Sequence, residues 1–363
     1  MIDLRSSLFV IGLLLIVLAL SMTLPAIADA AANGHVWHIF ITSAGATLFV
    51  GVSLALAFRR PNFQLSLKET FILTTASWLA VTFFASLPLW FSSPQSSITD
   101  AFFEAMSGLT TTGSTVMSDL DHAPRGILLW RAILQWLGGI GIIVMAVAVL
   151  PILRVGGMQL FRTESSDHSQ KILPRAAPIA GWIALTYLAL TLFWATALWL
   201  AGMGKFDAVC HAMTTIATGG FSTSDGSIGS FNKAAIDWIV MVGMLVGGMP
   251  FILYLRAMRG DFAVLIRDTQ IQWFIGCCAL SALAMTAWLC YHMEAPPLIA
   301  IRYAAFNTVS VITGTGYITA HYDQWGSFAV TVLFFLMFVG GCTGSTTGGI
   351  KVFRYQVLLD SAR

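Results

Sequence analysis

Charge is what this sequence has least of. Only 10% of its 363 residues are charged, whereas soluble domains carry about a quarter. The formal net charge is +2 and there is no basic stripe, which excludes a typical nucleic-acid binder. The five cysteines lack metal-ligand spacing. Hydrophobic residues make up 57% of the chain and the mean hydropathy is +0.80, so the sequence predicts a polytopic membrane protein.

Eight apolar runs are each close to the about 20 residues that a membrane-crossing helix needs. They cover residues 8–28, 36–58, 70–91, 127–150, 177–201, 235–255, 271–292 and 325–341. Three further runs, at 99–112, 206–219 and 298–315, are too short to cross and are predicted to be re-entrant. The predicted fold is an all-α membrane protein of repeated helix–pore loop–helix units around a pseudo-symmetric pore.

Lysine and arginine are unevenly distributed among the connections between these runs. Alternate connections hold clusters such as Arg59, Arg60 and Lys68, whereas the others hold isolated residues such as Lys205 and Lys233. The positive-inside rule therefore predicts that both termini are cytoplasmic. With that orientation, the re-entrant runs enter from the outside.

An internal repeat links the three re-entrant runs. The segments Phe103–Gly113, Cys210–Gly220 and Phe306–Gly316 align without gaps, and their last glycines are 107 and 96 residues apart. A hydroxyl residue lies six positions before each last glycine, and a Gly-Gly pair follows it by 25, 27 and 24 residues. Such repeats in a membrane protein imply a pseudo-symmetric structure around a central site.

Each repeat ends in a Thr/Gly turn that suits cation binding. Glycine permits the positive φ values that aim successive carbonyls inward, and carbonyl and threonine oxygens can replace the hydration shell of a monovalent cation. A helix-packing or loop role would explain one copy, but three aligned copies favour a selectivity filter. The predicted filter residues are Thr111, Thr112, Gly113, Thr218, Gly219, Gly220, Gly314, Thr315 and Gly316.

Several charged residues near the re-entrant runs have a structural and a functional interpretation. Asp100 and Asp207 suit helix N-termini through capping and the helix dipole. Glu104 and His211 occupy equivalent positions, where Glu104 either concentrates cations at the outer mouth or is simply solvated at a helix start. Arg302 either repels cations or snorkels to the interface; the sequence leaves both open.

Four motifs carry a resemblance that covers essentially the whole chain. They are Thr110–Val116, Gln135–Gly141, Ala217–Thr223 and Gly341–Lys351. The chain resembles the Trk/Ktr/HKT superfamily of potassium transporters, and most closely the bacterial TrkH/TrkG family of uptake subunits. The resemblance implies potassium uptake at the inner membrane, with K⁺ as substrate, no covalent cofactor and no enzymatic activity. It also implies a homodimer and a cytosolic TrkA-like nucleotide-binding ring.

The resemblance also divides the chain into units. Residues 1–66 are predicted to form two leading transmembrane helices, and 67–165, 166–262 and 263–363 the first, second and third units. The family has four units, so we expect the fourth to be missing and the chain to support little K⁺ uptake by itself. A symmetric dimer would duplicate the open side of such a pore and would not fill it.

A Gly-rich stretch follows the third unit's last apolar run. It is a poor helix former and is either an unwound plug below the filter or a site of close helix packing. The resemblance, whose third unit carries an intramembrane gating loop, favours the plug. The predicted gating-loop residues are Gly340, Gly341, Cys342, Thr343, Gly344, Ser345, Thr346, Thr347, Gly348 and Gly349.

Two other functions compete with cation conduction. A chain lacking one pore unit could be a non-conducting fragment or a regulatory or assembly subunit. Alternatively, Ser345 could be the nucleophile of an intramembrane hydrolase. The sequence offers no histidine at a matching depth with an orienting carboxylate, which argues against hydrolysis.

Overall fold

The computed structural model describes residues 4–59, 67–92, 97–144 and 176–362, and in these the regular structure is helical apart from one isolated bridge between Val339 and Ile350. The helices are α1 (Arg5–Ser21), α2 (Thr23–Ala31), α3 (Trp37–Ala57), α4 (Leu67–Ser92), α5 (Ile98–Leu109), α6 (Arg125–Val144), α7 (Ala176–Leu200), α8 (Lys205–Ile216), α9 (Ala234–Gly247), α10 (Phe251–Met258), α11 (Val264–Arg267), α12 (Thr269–His292), α13 (Pro297–Ile312), α14 (Ser327–Leu336) and α15 (Val352–Ala362). Three short 3₁₀ turns connect some of them.

Most of the predicted spans are confirmed as long apolar helices, and the three shorter runs are short helices. Within the described residues, six helices are long and apolar enough to cross a membrane, and α9 with α10 forms a bent seventh. The three re-entrant runs form the short helices α5, α8 and α13. The predicted boundary between the first two units, at residue 165, lies outside the described residues, as does Arg60 of the basic cluster.

The chain divides into two compact units. The N-terminal unit comprises Met1–Thr110 and Ser114–Leu134. In it α1 packs against α3 and α4, and α4 packs against α5. The indole of Trp130 donates to the carbonyl of Ala85 (2.9 Å), and buried Asp29 accepts from the backbone amide of Val36 (2.9 Å). These two buried hydrogen bonds tie α6 to α4 and the end of α2 to the start of α3.

The C-terminal unit comprises Thr111–Gly113 and Gln135–Arg363. In it α7 packs against α8 and α10, while α13 packs against α9 and α12. The large buried side chains include Tyr187, Phe251, Phe274 and Phe306. The short helices α8 and α13 are thus surrounded by longer helices, and nearly all of the second half of α13 is buried.

The sixth predicted span, 235–255, is not one straight helix, so this prediction was wrong in shape. α9 ends at Gly247, α10 begins at Phe251, and the two are bent by 96°. Pro250 causes the break because it cannot donate a backbone hydrogen bond and its ring excludes the preceding helical turn.

The eighth predicted span, 325–341, is helical only over α14, and its second half was wrongly predicted. The chain leaves the helix after Leu336 and stays irregular until α15. The prediction that Gly340–Gly349 would be non-helical is therefore confirmed for the backbone. We call this stretch the inner loop below.

Candidate functional site

The three Thr/Gly turns have the same backbone conformation at aligned positions. The last glycines Gly113, Gly220 and Gly316 have φ of 80°, 82° and 82°. Two positions earlier, Thr111 and Thr218 have φ of 55° and 50°, and the aligned Gly314 has 68°. A β-branched residue in this region is a genuine outlier, and such outliers cluster at functional sites.

The turns also meet one another within the C-terminal unit. A Cβ added to Gly113 would collide with the carbonyl oxygen of Gly219 and lie 3.5 Å from that of Thr315. A Cβ added to Gly220 would collide with the carbonyl oxygen of Thr315. The structure therefore brings predicted filter residues of all three repeats together. None of the three last glycines lies on a helix.

Gln135 holds the second turn, and sequence reasoning did not single it out as a site residue. Its side chain is fully buried; Nε2 donates to the carbonyl of Gly219 (2.6 Å) and Oε1 accepts from the amide of Phe221 (3.0 Å). These two partners fix the orientation of the amide, because a carbonyl only accepts and a backbone amide only donates. The resembling motif Gln135–Gly141 was the one signal for this role.

A polar residue at one aligned position ties each short helix to the strand that leaves its turn. In the N-terminal unit, Glu104 accepts from the Thr115 hydroxyl (2.9 Å) and the Val116 amide (3.0 Å). In the C-terminal unit, His211 and Asn307 occupy the aligned position and bond to Ser222 and Thr319. The contacts are His211 Nε2 with Ser222 Oγ (3.0 Å) and Asn307 Nδ2 with Thr319 Oγ1 (3.0 Å).

Glu104 is not solvated and does not lie open to cations, so both interpretations of it were wrong. Its side chain is 1% exposed and pairs with Arg131, also 1% exposed, at 2.8 Å. Arg131 also donates to the Thr115 hydroxyl (3.2 Å). The burial follows from this partner, because a carboxylate enters a protein interior only with a counter-charge and hydrogen bonds.

Two of the three aligned hydroxyls, six positions before each last glycine, donate to the backbone of the chain that follows their own turn. Ser107 Oγ donates to the carbonyl of Ser114 (2.6 Å), and Ser310 Oγ donates to that of Tyr317 (2.7 Å). In both cases the acceptor immediately follows the last glycine. Thr214 instead makes a short hydrogen bond to the Tyr317 hydroxyl, which joins the second repeat to the third.

The remaining charged candidates have structural partners. Ser97 and Asp100 form a capping box at the start of α5, as predicted for Asp100. Asp207 lies in the first turn of α8 and accepts from the Thr223 hydroxyl (2.7 Å). Arg302 neither snorkels freely nor stands alone, because its Nε pairs with a carboxylate oxygen of Asp237 at 2.7 Å.

The inner loop lies against the broken span. The amide of Cys342 donates to the carbonyl of Gly248 (3.0 Å), and the amide of Phe251 donates to the carbonyl of Gly344 (3.1 Å). A Cβ on the predicted filter residue Gly314 would lie 3.8 Å from the amide nitrogen of Gly348. The loop therefore lies next to the predicted filter, and the break and the loop satisfy each other's backbone groups.

Lys351 holds the end of the inner loop. Its ammonium donates to the hydroxyl of Thr347 (3.0 Å) and makes a shorter contact to the carbonyl of the same residue. The Ser345 hydroxyl, considered above as a hydrolase nucleophile, donates to the carbonyl of Cys342 (2.6 Å). The loop is thus a hydrogen-bonded structure of small polar residues.

Comparisons with known proteins agree on one family. Residues 36–362 match the family model described as TrkH, cation transport protein. The Trk system potassium uptake protein TrkI of Halomonas elongata is 45% identical, with 96% of this chain and 71% of that protein covered. For TrkH of Escherichia coli K12 the identity is 39%, with coverages of 96% and 73%.

A solved structure extends this similarity to the fold. The crystal structure of the potassium transporter TrkH from Vibrio parahaemolyticus superposes with a TM-score of 0.91 at 37% identity, over 99% of this chain and 75% of that one. The matched family consists of transporters and not of enzymes, as the sequence predicted. From its repeated turns, its apolar helices and these relatives, the chain is a transmembrane protein that belongs to the TrkH family of cation transport proteins.

Proposed function

We propose that this chain takes part in K⁺ uptake, with the ion passing a filter built from the Thr/Gly turns. The observation that carries the proposal is the meeting of three aligned turns with matched positive φ values. Its relatives are named potassium uptake proteins. The proposed ligands are the backbone carbonyls and hydroxyls of Thr111–Gly113, Thr218–Gly220 and Gly314–Gly316, which would replace the hydration shell of K⁺.

The short helices support this chemistry electrostatically. α8 ends at Ile216 and α13 at Ile312, each just before its turn. The C-terminal end of a helix carries a partial negative charge, which favours a cation there. The buried groups behind the turns add little net charge of their own, because Glu104 is compensated by Arg131 and Asn307 is neutral.

The proposal includes a fourth Thr/Gly strand beside Gly316. Gly113 faces the second turn and Gly220 faces the third, so each of these two glycines adjoins the turn of the next repeat. A Cβ on Gly316 would meet no described heavy atom within 4 Å. A fourth turn in that place would continue the series and close the ring of carbonyls.

The inner loop is proposed to gate the pore. Gly340–Gly349 adjoins the filter residues Gly314 and Thr218 and is held by side-chain and backbone hydrogen bonds that can be broken and remade. A displaced loop would open the space below the filter. A cytosolic nucleotide-binding ring and a homodimer, both implied by the family resemblance, belong to this proposal as the source and setting of that movement.

The experiment is uptake of Rb⁺, a K⁺ substitute, in bacteria that lack their own K⁺ uptake systems. We expect the 363-residue chain to insert in the inner membrane with both termini cytoplasmic and to give little uptake alone. Adding the fourth unit of a relative should restore Rb⁺ uptake and growth on limiting K⁺. An inserted, completed protein without uptake would favour the non-conducting regulatory subunit instead, and robust uptake by the chain alone would refute the need for a fourth strand.

Gln135 provides a sharper test of the filter. In the completed protein, Gln135→Glu should weaken the preference for Rb⁺ over Na⁺ by about tenfold, because a carboxylate cannot donate to the Gly219 carbonyl and leaves it without that buried partner. Gln272→Glu is the matched control, since the amide of Gln272 donates to the carbonyl of Ile266 at an exposed site. Na⁺ competition that is equal in both variants would count against Gln135 as a filter support.

A further inference from the structure

One side chain of the inner loop reaches the second filter turn directly. Thr346 is 1% exposed, and its hydroxyl oxygen lies 3.0 Å from that of Thr218, whose own hydroxyl also lies 2.8 Å from the carbonyl of Ala217. The carbonyls of Gly247 (3.0 Å) and Ile216 (3.2 Å) lie within hydrogen-bond distance of the same oxygen. A hydroxyl has one hydrogen, so Thr346 accepts from Thr218 when it donates to one of these carbonyls, and it donates to Thr218 when Thr218 donates to the carbonyl of Ala217.

Thr218, the residue that Thr346 contacts, has a strained backbone conformation. Thr218 has a φ of 50°, which a β-branched residue adopts only when its surroundings impose it. Its γ-methyl group packs against Gly247, where an added Cβ would approach it to 2.8 Å. Packing therefore fixes the methyl group of Thr218, and its hydroxyl is held by Thr346 together with the neighbouring carbonyl of Ala217.

We propose that Thr346 is a positioning residue that makes the ion preference of the second filter turn depend on the position of the inner loop. With the loop in place, the Thr218 side chain is anchored and the turn is held in its strained conformation. When the loop moves, Thr218 loses that partner, the turn relaxes and discrimination between K⁺ and Na⁺ falls. The inference rests on the proposed filter. It adds that the inner loop, besides blocking the pore, controls the ion preference of the filter.

The test separates the hydroxyl from the shape of the side chain. Thr346→Val keeps the shape and removes the hydroxyl, whereas Thr346→Ser keeps the hydroxyl. Thr343→Val makes the same chemical change three residues away in the same loop, at a half-buried side chain. Each variant is made in the protein completed by the fourth unit of a relative and purified, and its melting temperature is titrated with K⁺ and with Na⁺, because an ion that binds only the folded state stabilises it.

We expect the wild type to be stabilised at lower concentrations of K⁺ than of Na⁺. Thr346→Val should reduce this K⁺ preference about three- to tenfold, the range that one buried hydrogen bond supports. Thr346→Ser should stay within about twofold of the wild type, and Thr343→Val should not differ from it. On a Thr218→Val background, Thr346→Val should add no further loss, since both changes remove the same hydrogen bond.

The other outcomes are equally informative. A wild type with no preference for K⁺ would overturn the proposed filter and this inference with it. A wild type with the preference, in which Thr346→Val behaves like Thr343→Val, would overturn this inference alone. Equal losses in Thr346→Val and Thr346→Ser would also overturn it, because the effect would then come from packing. If Thr346→Val does not accumulate, Thr218→Val and Thr218→Ser test the same bond from its other side by the same criteria.

Discussion

Replacing Gly220 by alanine is expected to abolish the K⁺ preference and nearly all Rb⁺ uptake in a completed protein. The added methyl group would collide with the carbonyl of Thr315, one of the proposed ligands. Its residue would also have to keep a φ of 82°, which costs an L-residue about 1–2 kcal/mol. The collision is with backbone, so the neighbouring turn must move, and a carbonyl cage that has moved no longer matches the ion.

Two matched glycines separate the collision from the backbone strain. Gly260→Ala has a similar backbone strain, at φ 102°, but its methyl group would enter open space outside the site. This variant should leave uptake unchanged. Gly316→Ala has the same φ as Gly220→Ala and no described neighbour in this chain. It should therefore be mild in the 363-residue chain and severe once a fourth unit is added. Equal K⁺ preference in Gly220→Ala and Gly260→Ala would remove Gly220 from the filter.

Glu104→Ala is expected to be the most destabilising single change in the N-terminal unit, by about 3–5 kcal/mol. It leaves the buried Arg131 guanidinium without its counter-charge and removes the acceptor of the Val116 amide. The measurement is the free energy of unfolding of the purified protein in a denaturant series. Asp261→Ala is the control, because the ion pair of Asp261 with Arg256 is about half exposed and should contribute less than about 1 kcal/mol.

A double variant shows whether the charge or the packing matters. Glu104→Ala combined with Arg131→Met removes both charges and should recover part of the lost stability, since replacing a buried ion pair by apolar groups is far cheaper than breaking it. A Glu104→Ala protein as stable as Asp261→Ala would contradict a structural role for the pair. No recovery in the double variant would assign the loss to the hydrogen bonds with residues 115 and 116.

Much of the fold could be predicted because it repeats. The three aligned segments gave the short helices α5, α8 and α13 and the turns that follow them, since composition and spacing act locally. The aligned glycines also indicated where φ would be positive. The same alignment did not reveal that Thr111 and Thr218 share this conformation, because threonine rarely adopts it unless its neighbours impose it.

What the sequence could not show depends on partners far along the chain. Glu104 is buried because Arg131 reaches it from α6, and nothing near Glu104 in the sequence indicates this partner. Gln135 spans two residues of a turn in the next repeat, so its role is visible only in three dimensions. The break after Gly247 could have been predicted, because Pro250 is a local signal for it. The apolar composition of 235–255 obscured that signal.

The break between α9 and α10 sets an order of assembly during biosynthesis. The break exposes the carbonyls of Gly247 and Gly248 and the amide of Phe251. Within the described part of the chain their partners come from the inner loop, which the ribosome makes a whole repeat later. In lipid each unpaired group would cost several kcal/mol. The second repeat therefore either enters the bilayer with these groups still unpaired, or waits beside the insertion machinery. In both cases its final shape is a late event, completed only after residue 346 has been translated.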